Sequence, residues 1–310
     1  MKRLALILTI LVAASCTQLA TDVPKRQGWE DKDMGPLYGD VESVIITVYS
    51  LEDNFGVLSR SKIEGEICYK FNEFGDVTEL AGYKSDGSLI SKYICKYDSK
   101  GNATEDAGYN SDGSLSSKST YKYDTKGNKT EVVLYNSAGS LSWKAIYKYD
   151  SKGNKTEEVL YNSDGSLDNK WIYKYDVKGN NTEVAMYDSD GSLRGKMIYK
   201  YDTKGSKTEE AEYGSDGSLW YKSTAKYDTK GNKTEEARYD SDGSLIRKAI
   251  YKYDTQGNKT EEARYASDGS LEYKRTYKYD SQGNITEMTE YDGEMQIPKS
   301  QTVYTIIYRK

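Results

Sequence analysis

Short runs carrying most of the Tyr, Thr, Val and Ile, each closed by a Gly-containing turn signal, follow one another along the chain, which is the pattern of strands. One stretch, Tyr147 to Ile172 (YKYDSKGNKTEEVLYNSDGSLDNKWI), returns every 26 residues. Aligned on the aromatic of its YD dipeptide, it recurs at Phe71, Tyr97, Tyr123, Tyr149, Tyr175, Tyr201, Tyr227, Tyr253 and Tyr279, with no insertion between copies. A fixed period of this size marks an array in which each unit buries its apolar face mainly against its neighbours.

Two turns divide each repeat into two strands. In Asn162-Ser163-Asp164-Gly165-Ser166 the Gly supplies the positive φ that closes a hairpin, as a three-residue loop with a bulge, and Asp176-Val177-Lys178-Gly179-Asn180 has the same layout. Counting outward with strict alternation pairs Tyr161 with Leu167, Val159 with Asn169 and Glu158 with Lys170; across the next turn it pairs Tyr175 with Asn181, Tyr173 with Glu183 and Trp171 with Ala185. That register gathers Tyr161, Leu167, Tyr173, Tyr175 and a small Val159 or Ala185 on a buried face. It places Thr156, Glu158, Lys170, Ile172 and Lys174 on the other, with Asp106–Lys118, Glu210–Lys222, Glu236–Lys248 and Glu262–Lys274 repeating the Glu158–Lys170 pair. The expected fold is all-β: an elongated, curled antiparallel meander of nine 26-residue two-strand repeats, because so long a sheet does not stay flat.

The chain ends depart from the period. Met1-Lys2-Arg3, an apolar run Leu4 to Val12, and Ala13-Ala14-Ser15-Cys16 read as a signal peptide over residues 1–15, too short to span a bilayer. The small-residue run ending on Cys resembles a bacterial lipobox, which implies lipidation at Cys16; the alternative is an ordinary secretory signal. Residues 16–36 read as a tether, 37–68 as an N-terminal β cap, 69–292 as the array and 293–310 as a C-terminal cap strand. Thr17 after the Cys places the anchor, by analogy, in the bacterial outer membrane, facing the periplasm or the surface. Cys68 and Cys95 fall in opposite phase and two strands apart, so both are expected as free thiols.

Composition narrows the chemistry. The 310 residues include 31 Tyr, 27 Gly and no His, with a net charge of -5 and both signs interleaved in every repeat. Without His there is no imidazole base or ligand, and no basic block suits a nucleic acid. Carboxylates recur with the array where a catalytic pair would stand once in a special setting, so no catalytic residue, metal site or cofactor is expected. Asp240-Ser241-Asp242-Gly243-Ser244-Leu245 lacks the flanking acids of a calcium loop, since those places hold Arg238 and Ala249. Trp143, Trp171 and Trp220 fall at three different phases, against a sugar site repeated along the array. One phase varies freely: the position of Asp168 holds Ser116, Ser142, Arg194, Trp220, Ile246 and Glu272 in other copies. That row is the candidate contact surface; the alternative is an unconstrained rim beside a turn.

The recurring Tyr-Asp-x-x-Gly-Asn, from Tyr97-Asp98-Ser99-Lys100-Gly101-Asn102 onward, resembles the YD repeats of the Rhs and teneurin group over about residues 69–292. Gly205-Ser206 and Phe71-Asn72 depart from it. The resemblance implies a curled β-sheet and a surface or secreted protein engaged in adhesion, carbohydrate binding or toxin enclosure, the last not fitting so short an array. The expected function is a lipid-anchored, non-catalytic binding or adhesion scaffold of the cell envelope, touching the membrane through Cys16 and an unidentified protein or polysaccharide. The alternative is a carbohydrate-binding module that uses the Tyr-rich face.

Overall fold

The computed structural model describes residues 37–54, 57–293 and 297–309. Twenty strands and no helix occur among them, beginning with β1 (Val41–Asn54), β2 (Val57–Phe71), β3 (Val77–Lys84), β4 (Leu89–Tyr97), β5 (Ala103–Asn110) and β6 (Leu115–Tyr123). The array continues through β7 (Lys129–Asn136), β8 (Leu141–Tyr149), β9 (Lys155–Asn162), β10 (Leu167–Tyr175), β11 (Asn181–Tyr187), β12 (Leu193–Tyr201) and β13 (Lys207–Gly214). It ends with β14 (Leu219–Tyr227), β15 (Lys233–Asp240), β16 (Leu245–Tyr253), β17 (Lys259–Ala266), β18 (Leu271–Tyr279), β19 (Ile285–Asp292) and β20 (Pro298–Tyr308). Two compact units divide the chain: Met1–Tyr121 with Leu134–Ser140 and Arg275–Lys310, and Lys122–Val133 with Leu141–Lys274. Every pairing described within either unit is antiparallel.

The turns are those the sequence dictates. Gly165 N–H donates to the Asn162 carbonyl (3.0 Å) and Asn162 N–H to the Ser166 carbonyl (2.9 Å), with Gly165 at φ 82°. An L residue with a β-carbon rarely adopts that conformation, which is why Gly recurs there.

The register departs from simple alternation. Leu167 does face Tyr161, but Asn169 faces Leu160, Lys170 faces Val159 and Trp171 faces Glu158, so Asp168 is an extra residue without a cross-strand partner. After the next turn Tyr175 faces Asn181 while Lys174 faces Glu183, which makes Thr182 extra as well. Each repeat therefore carries two β-bulges, and each moves the following side chains to the opposite face. The second is stabilised locally: the Thr182 hydroxyl donates to the Lys174 carbonyl, as Thr156 does to Lys148 and Thr208 to Lys200 (3.3 Å each).

The bulges re-sort the predicted faces. Tyr161, Val159, Leu167, Lys170, Ile172 and Lys174 share one face, while Tyr173, Tyr175 and Glu158 lie on the other. The expected Glu158–Lys170 pair is corrected to Glu157, whose two oxygens take Lys148 (2.6 Å) and Lys170 (2.9 Å). Glu105, Glu131, Glu209, Glu235 and Glu261 do the same with Lys96 and Lys118, Lys122 and Lys144, Lys200 and Lys222, Lys226 and Lys248, and Lys252 and Lys274. This Lys–Glu–Lys ladder makes one face uniform from repeat to repeat.

The YD-x-x-GN residues have structural work. Asp176 Oδ1 accepts the backbone N–H groups of Lys178 and Asn180, and Oδ2 accepts the Asn180 amide. The Tyr175 hydroxyl donates to the Lys155 carbonyl (2.7 Å), clamping β10 to β9 beyond their last paired residues; Tyr149, Tyr201, Tyr227 and Tyr253 make the same bond to the carbonyl 20 positions earlier. Tyr175→Phe is expected to cost about 0.5–1.5 kcal/mol in urea unfolding, the net value of one such bond. An unchanged midpoint would mean that the clamp contributes nothing.

In the first unit, β20 pairs with β1 from Val41↔Tyr308 to Ser50↔Ser300, and β1 pairs in turn with β2. This corrects the elongated meander with two separate ends: the first and last strands satisfy each other's edge groups, which open edges would leave exposed. The apolar core sits at this join, on the tyrosine face, from Val44 (0% exposed), Ile46, Ile67, Tyr69, Leu80, Ile285 and Tyr304. Asn284, from the last GN turn, is also 0% exposed. Its amide donates to the Tyr38 carbonyl (2.9 Å) and the Tyr308 hydroxyl (2.8 Å), and its oxygen accepts the Tyr38 N–H (2.5 Å). Cys68 is a free thiol, so no bridge joins it to Cys95; Cys95 is disulfide-bonded, and the expectation of two free thiols holds for Cys68 alone. Cys16 and the signal peptide lie outside the described residues.

Candidate functional site

Within the second unit, the face opposite the ladder carries the tyrosines of the Tyr173 and Tyr175 positions together with Lys–Glu pairs that recur in several copies. The bulge at Thr156 turns Glu158 onto this face, where its Oε2 accepts the Tyr173 hydroxyl (2.9 Å) and the Lys155 ammonium (2.6 Å). Lys155 also sits 4.5 Å from the Tyr173 ring centroid and 5.4 Å from that of Tyr147. Later copies rebuild the cell: Lys207 pairs with Glu210 (2.6 Å) beside the Tyr199 ring, Lys233 with Glu236 (2.7 Å) and Lys259 with Glu262 (2.9 Å), the last two flanking Tyr251. The cations thus lie over the tyrosine ring faces, where the ring quadrupole attracts them.

Burial pushes the Tyr149 hydroxyl up to about 12, and burial with Glu210 does the same for Tyr199 and Tyr221. Tyr147, Tyr173 and Tyr251 are pushed up further, by burial first and neighbouring carboxylates second. A raised folded-state value gives stability that is present below the unfolded value of 10.0 and lost as pH rises through about 12. On the ladder face, hydrogen bonds from two lysines hold Glu157, Glu131 and Glu209 below the usual 4.5. Their contribution is present above 4.5 and lost as pH falls through the lower folded values. The melting temperature is therefore expected to fall at both extremes, with the tyrosinate absorbance of Tyr147, Tyr149, Tyr173, Tyr199, Tyr221 and Tyr251 appearing only as the protein unfolds at high pH. A flat melting temperature between about pH 7 and 3, or tyrosines that all titrate near 10 before unfolding, would contradict this linkage.

The site centres on β13 to β16, where a pocket of 160 Å³ is lined by Lys207, Glu210, Tyr221, Ser223, Glu236, Arg238 and Arg247 among others. Glu210 takes Lys207 and the Tyr221 hydroxyl (3.2 Å), and Glu236 takes Lys233. Arg238 and Arg247 face each other directly across β15 and β16, with the Arg238 guanidinium 4.2 Å from the Tyr221 ring centroid. Strict alternation sets Arg247 against Ala237 and hides this pair; the bulge at Ile246 creates it. The available sequence signal is that no earlier copy holds a cation at either place: Arg238 stands where they hold residues such as Leu160 and Glu212, and Arg247 where they hold residues such as Asn169 and Tyr221.

The variable row falls at the bulges. Asp168, Arg194, Trp220 and Ile246 are each the unpaired extra residue after the turn, so the ladder imposes no partner on them. Trp220 is 47% and Ile246 42% exposed, whereas Glu272 is ion-paired with Arg264 at 2.6 Å. Trp220 lies over Gly214, where an added β-carbon would sit 2.7 Å from the indole nitrogen. No described helix is long and apolar enough to cross a membrane, and no group of metal-ligating side chains occurs among the described residues.

No family model and no curated protein matches the chain. Among solved structures it is similar to a porin-like protein from Bacteroides uniformis, at 12% identity and a TM-score of 0.39, over 86% of this chain and 98% of that one. It is also similar to TcdB2-TccC3 without its hypervariable C-terminal region, at 12% identity and a TM-score of 0.32, over 78% of this chain and 16% of that one. A further likeness, to the Photorhabdus luminescens Tc holotoxin pore, has a TM-score of 0.20 at 12% identity, over 75% of this chain and 17% of that one. Scores this low decide neither family nor function. The chain's own strands establish an antiparallel β-repeat protein.

Proposed function

We propose that this is a YD-repeat lipoprotein of the bacterial cell envelope, held in the outer membrane by lipid at Cys16 and acting as a non-catalytic binding scaffold. The observation that carries the reading is the division between rows: the Lys–Glu–Lys ladder recurs from copy to copy, while the bulge row and, on the tyrosine face, the positions of Arg238 and Arg247 change. Structural need explains the first and leaves the second open to selection for contact. Both faces carry charged side chains, which do not suit a lipid-facing strand band, so the lipid supplies the membrane contact. Cations over the tyrosine rings leave less free ring face for sugar stacking, which favours a protein partner over a carbohydrate module. Weak, equivalent contacts along an array gain from avidity.

A photo-crosslinker placed in cells at Trp220 or Ile246 is expected to capture a discrete envelope protein that the same group at Ile172, on the ladder face, does not. Equal yields from all three positions, or a glycan array that binds strongly and loses binding on Tyr147→Ala, would reject the scaffold. The anchor is tested by mass spectrometry of the membrane fraction, with Cys16→Ala releasing the protein. The chain has three cysteines and Cys68 is free, so a lipid on Cys16 and an intrachain disulfide at Cys95 exclude each other; alkylation counting reads which one is present.

A further inference from the structure

We propose that Arg238 and Arg247 form a binding site for a dianionic tetrahedral oxyanion, a phosphate or sulfate group, in the pocket on the tyrosine face of β13 to β16. The inference deepens the proposed binding role and rests on it only for biological meaning, since the site itself can be tested on the isolated protein.

Four cations, Lys207, Lys233, Arg238 and Arg247, line the pocket against two carboxylates, Glu210 and Glu236, because Glu209 reaches the other face to Lys200 and Lys222; Glu212 and Asp240 stand on the same face beyond the lining, each opposite Tyr221. Lys207 and Lys233 take those two carboxylates at 2.6 and 2.7 Å. Arg238 and Arg247 make no ion pair among the described residues, whereas Arg264 pairs with Glu272 and Arg275 with Glu290. Like charges directly opposite on one face of an antiparallel pair repel. Two guanidinium groups without a carboxylate partner suit a dianion; a single carboxylate would leave one of them uncompensated.

Geometry agrees. The Arg238 guanidinium is held 4.2 Å from the Tyr221 ring centroid, which fixes the group while leaving edge N–H donors for an oxyanion. Tyr221 is itself held by Glu210, and Ser223, directly opposite Arg238, adds a hydroxyl to the lining. Guanidinium groups approaching from two strands can each offer parallel N–H donors to separate oxygens, the arrangement in which Arg outperforms Lys.

The test is calorimetric titration and thermal melting of the soluble protein with sodium phosphate, sodium sulfate and, at matched ionic strength, sodium chloride. Saturable binding of phosphate or sulfate is expected, with a rise in melting temperature that chloride does not reproduce. Arg238→Gln and Arg247→Gln should each weaken binding at least tenfold, and Arg247→Gln should raise the melting temperature of the anion-free protein by relieving the repulsion. The arms separate the sources: phosphate affinity that grows from about pH 5.5 to 8 while sulfate affinity stays level marks a dianion requirement met by phosphoryl groups. Sulfate binding much tighter than phosphate at every pH assigns inorganic sulfate. No saturable binding below about 10 mM, or binding that both variants retain, overturns the site. If the anion fails while crosslinking from Trp220 succeeds, this inference falls and the scaffold stands; the opposite result leaves an anion site on a protein whose partner lies elsewhere.

Discussion

Deletion of Asp168 is expected to destroy cooperative folding of the second unit, although Asp168→Ala should change stability by no more than about 0.5 kcal/mol. The bulge residue faces no partner, so its side chain is dispensable while its backbone length is not. Without it, Lys170, Ile172 and Lys174 rotate to the tyrosine face and Tyr173 and Tyr175 to the ladder face, because a one-residue slip reverses every side chain. That breaks Lys170–Glu157, Lys174–Glu183, Tyr173–Glu158 and the Tyr175 clamp together. Far-ultraviolet melting and limited proteolysis would show a broad, early transition. A sharp transition within about 1 kcal/mol of the parent would mean that the strand finds its register without the bulge.

The second large effect is expected at the join of the chain ends. Asn284→Ala removes the buried amide that bridges the Tyr38 backbone and the Tyr308 hydroxyl through three hydrogen bonds, at about 0.5–1.5 kcal/mol for each bond lost. The expected loss is on the order of 3 kcal/mol. Asn258, at the same place in the preceding GN turn, binds only Asp254, and Asn258→Ala should cost below about 1 kcal/mol. Equal losses at the two positions would show that Asn284 serves its turn alone. A smaller midpoint with an unchanged denaturant slope is the expected form of the Asn284→Ala effect.

Much of the fold can be read from periodicity. The turns follow from Asp or Asn, Gly and their spacing, and the strand sequence follows from the turns. The register does not, because alternation counted outward from a turn assumes one residue per rung. Two marks of the bulges stand in the sequence nonetheless: a Thr at one phase of all copies, from Thr78 to Thr286, whose hydroxyl takes a strand carbonyl, and a phase where Asp, Arg, Trp, Ile and Glu interchange. A position that accepts anything is one that the ladder does not see. The Arg238–Arg247 pair is legible only once that position is skipped. The join of β1 and β20 has no periodic signal at all, since both strands lie outside the array and meet through Val44, Ile46 and Tyr304.

Because Arg309 donates to the Asp40 carbonyl at 2.9 Å, the described chain finishes beside the place where it starts. The order in which the strands are synthesised is thus separable from the order in which they pair. A circular permutant, joined by a short linker from Arg309 to Tyr38 and reopened at an exposed turn such as residues 163–164, would keep every ladder and give up one hairpin connection. Such a permutant moves the attachment point to any chosen turn, so one scaffold can be hung from a membrane in many orientations and its contact row presented from each.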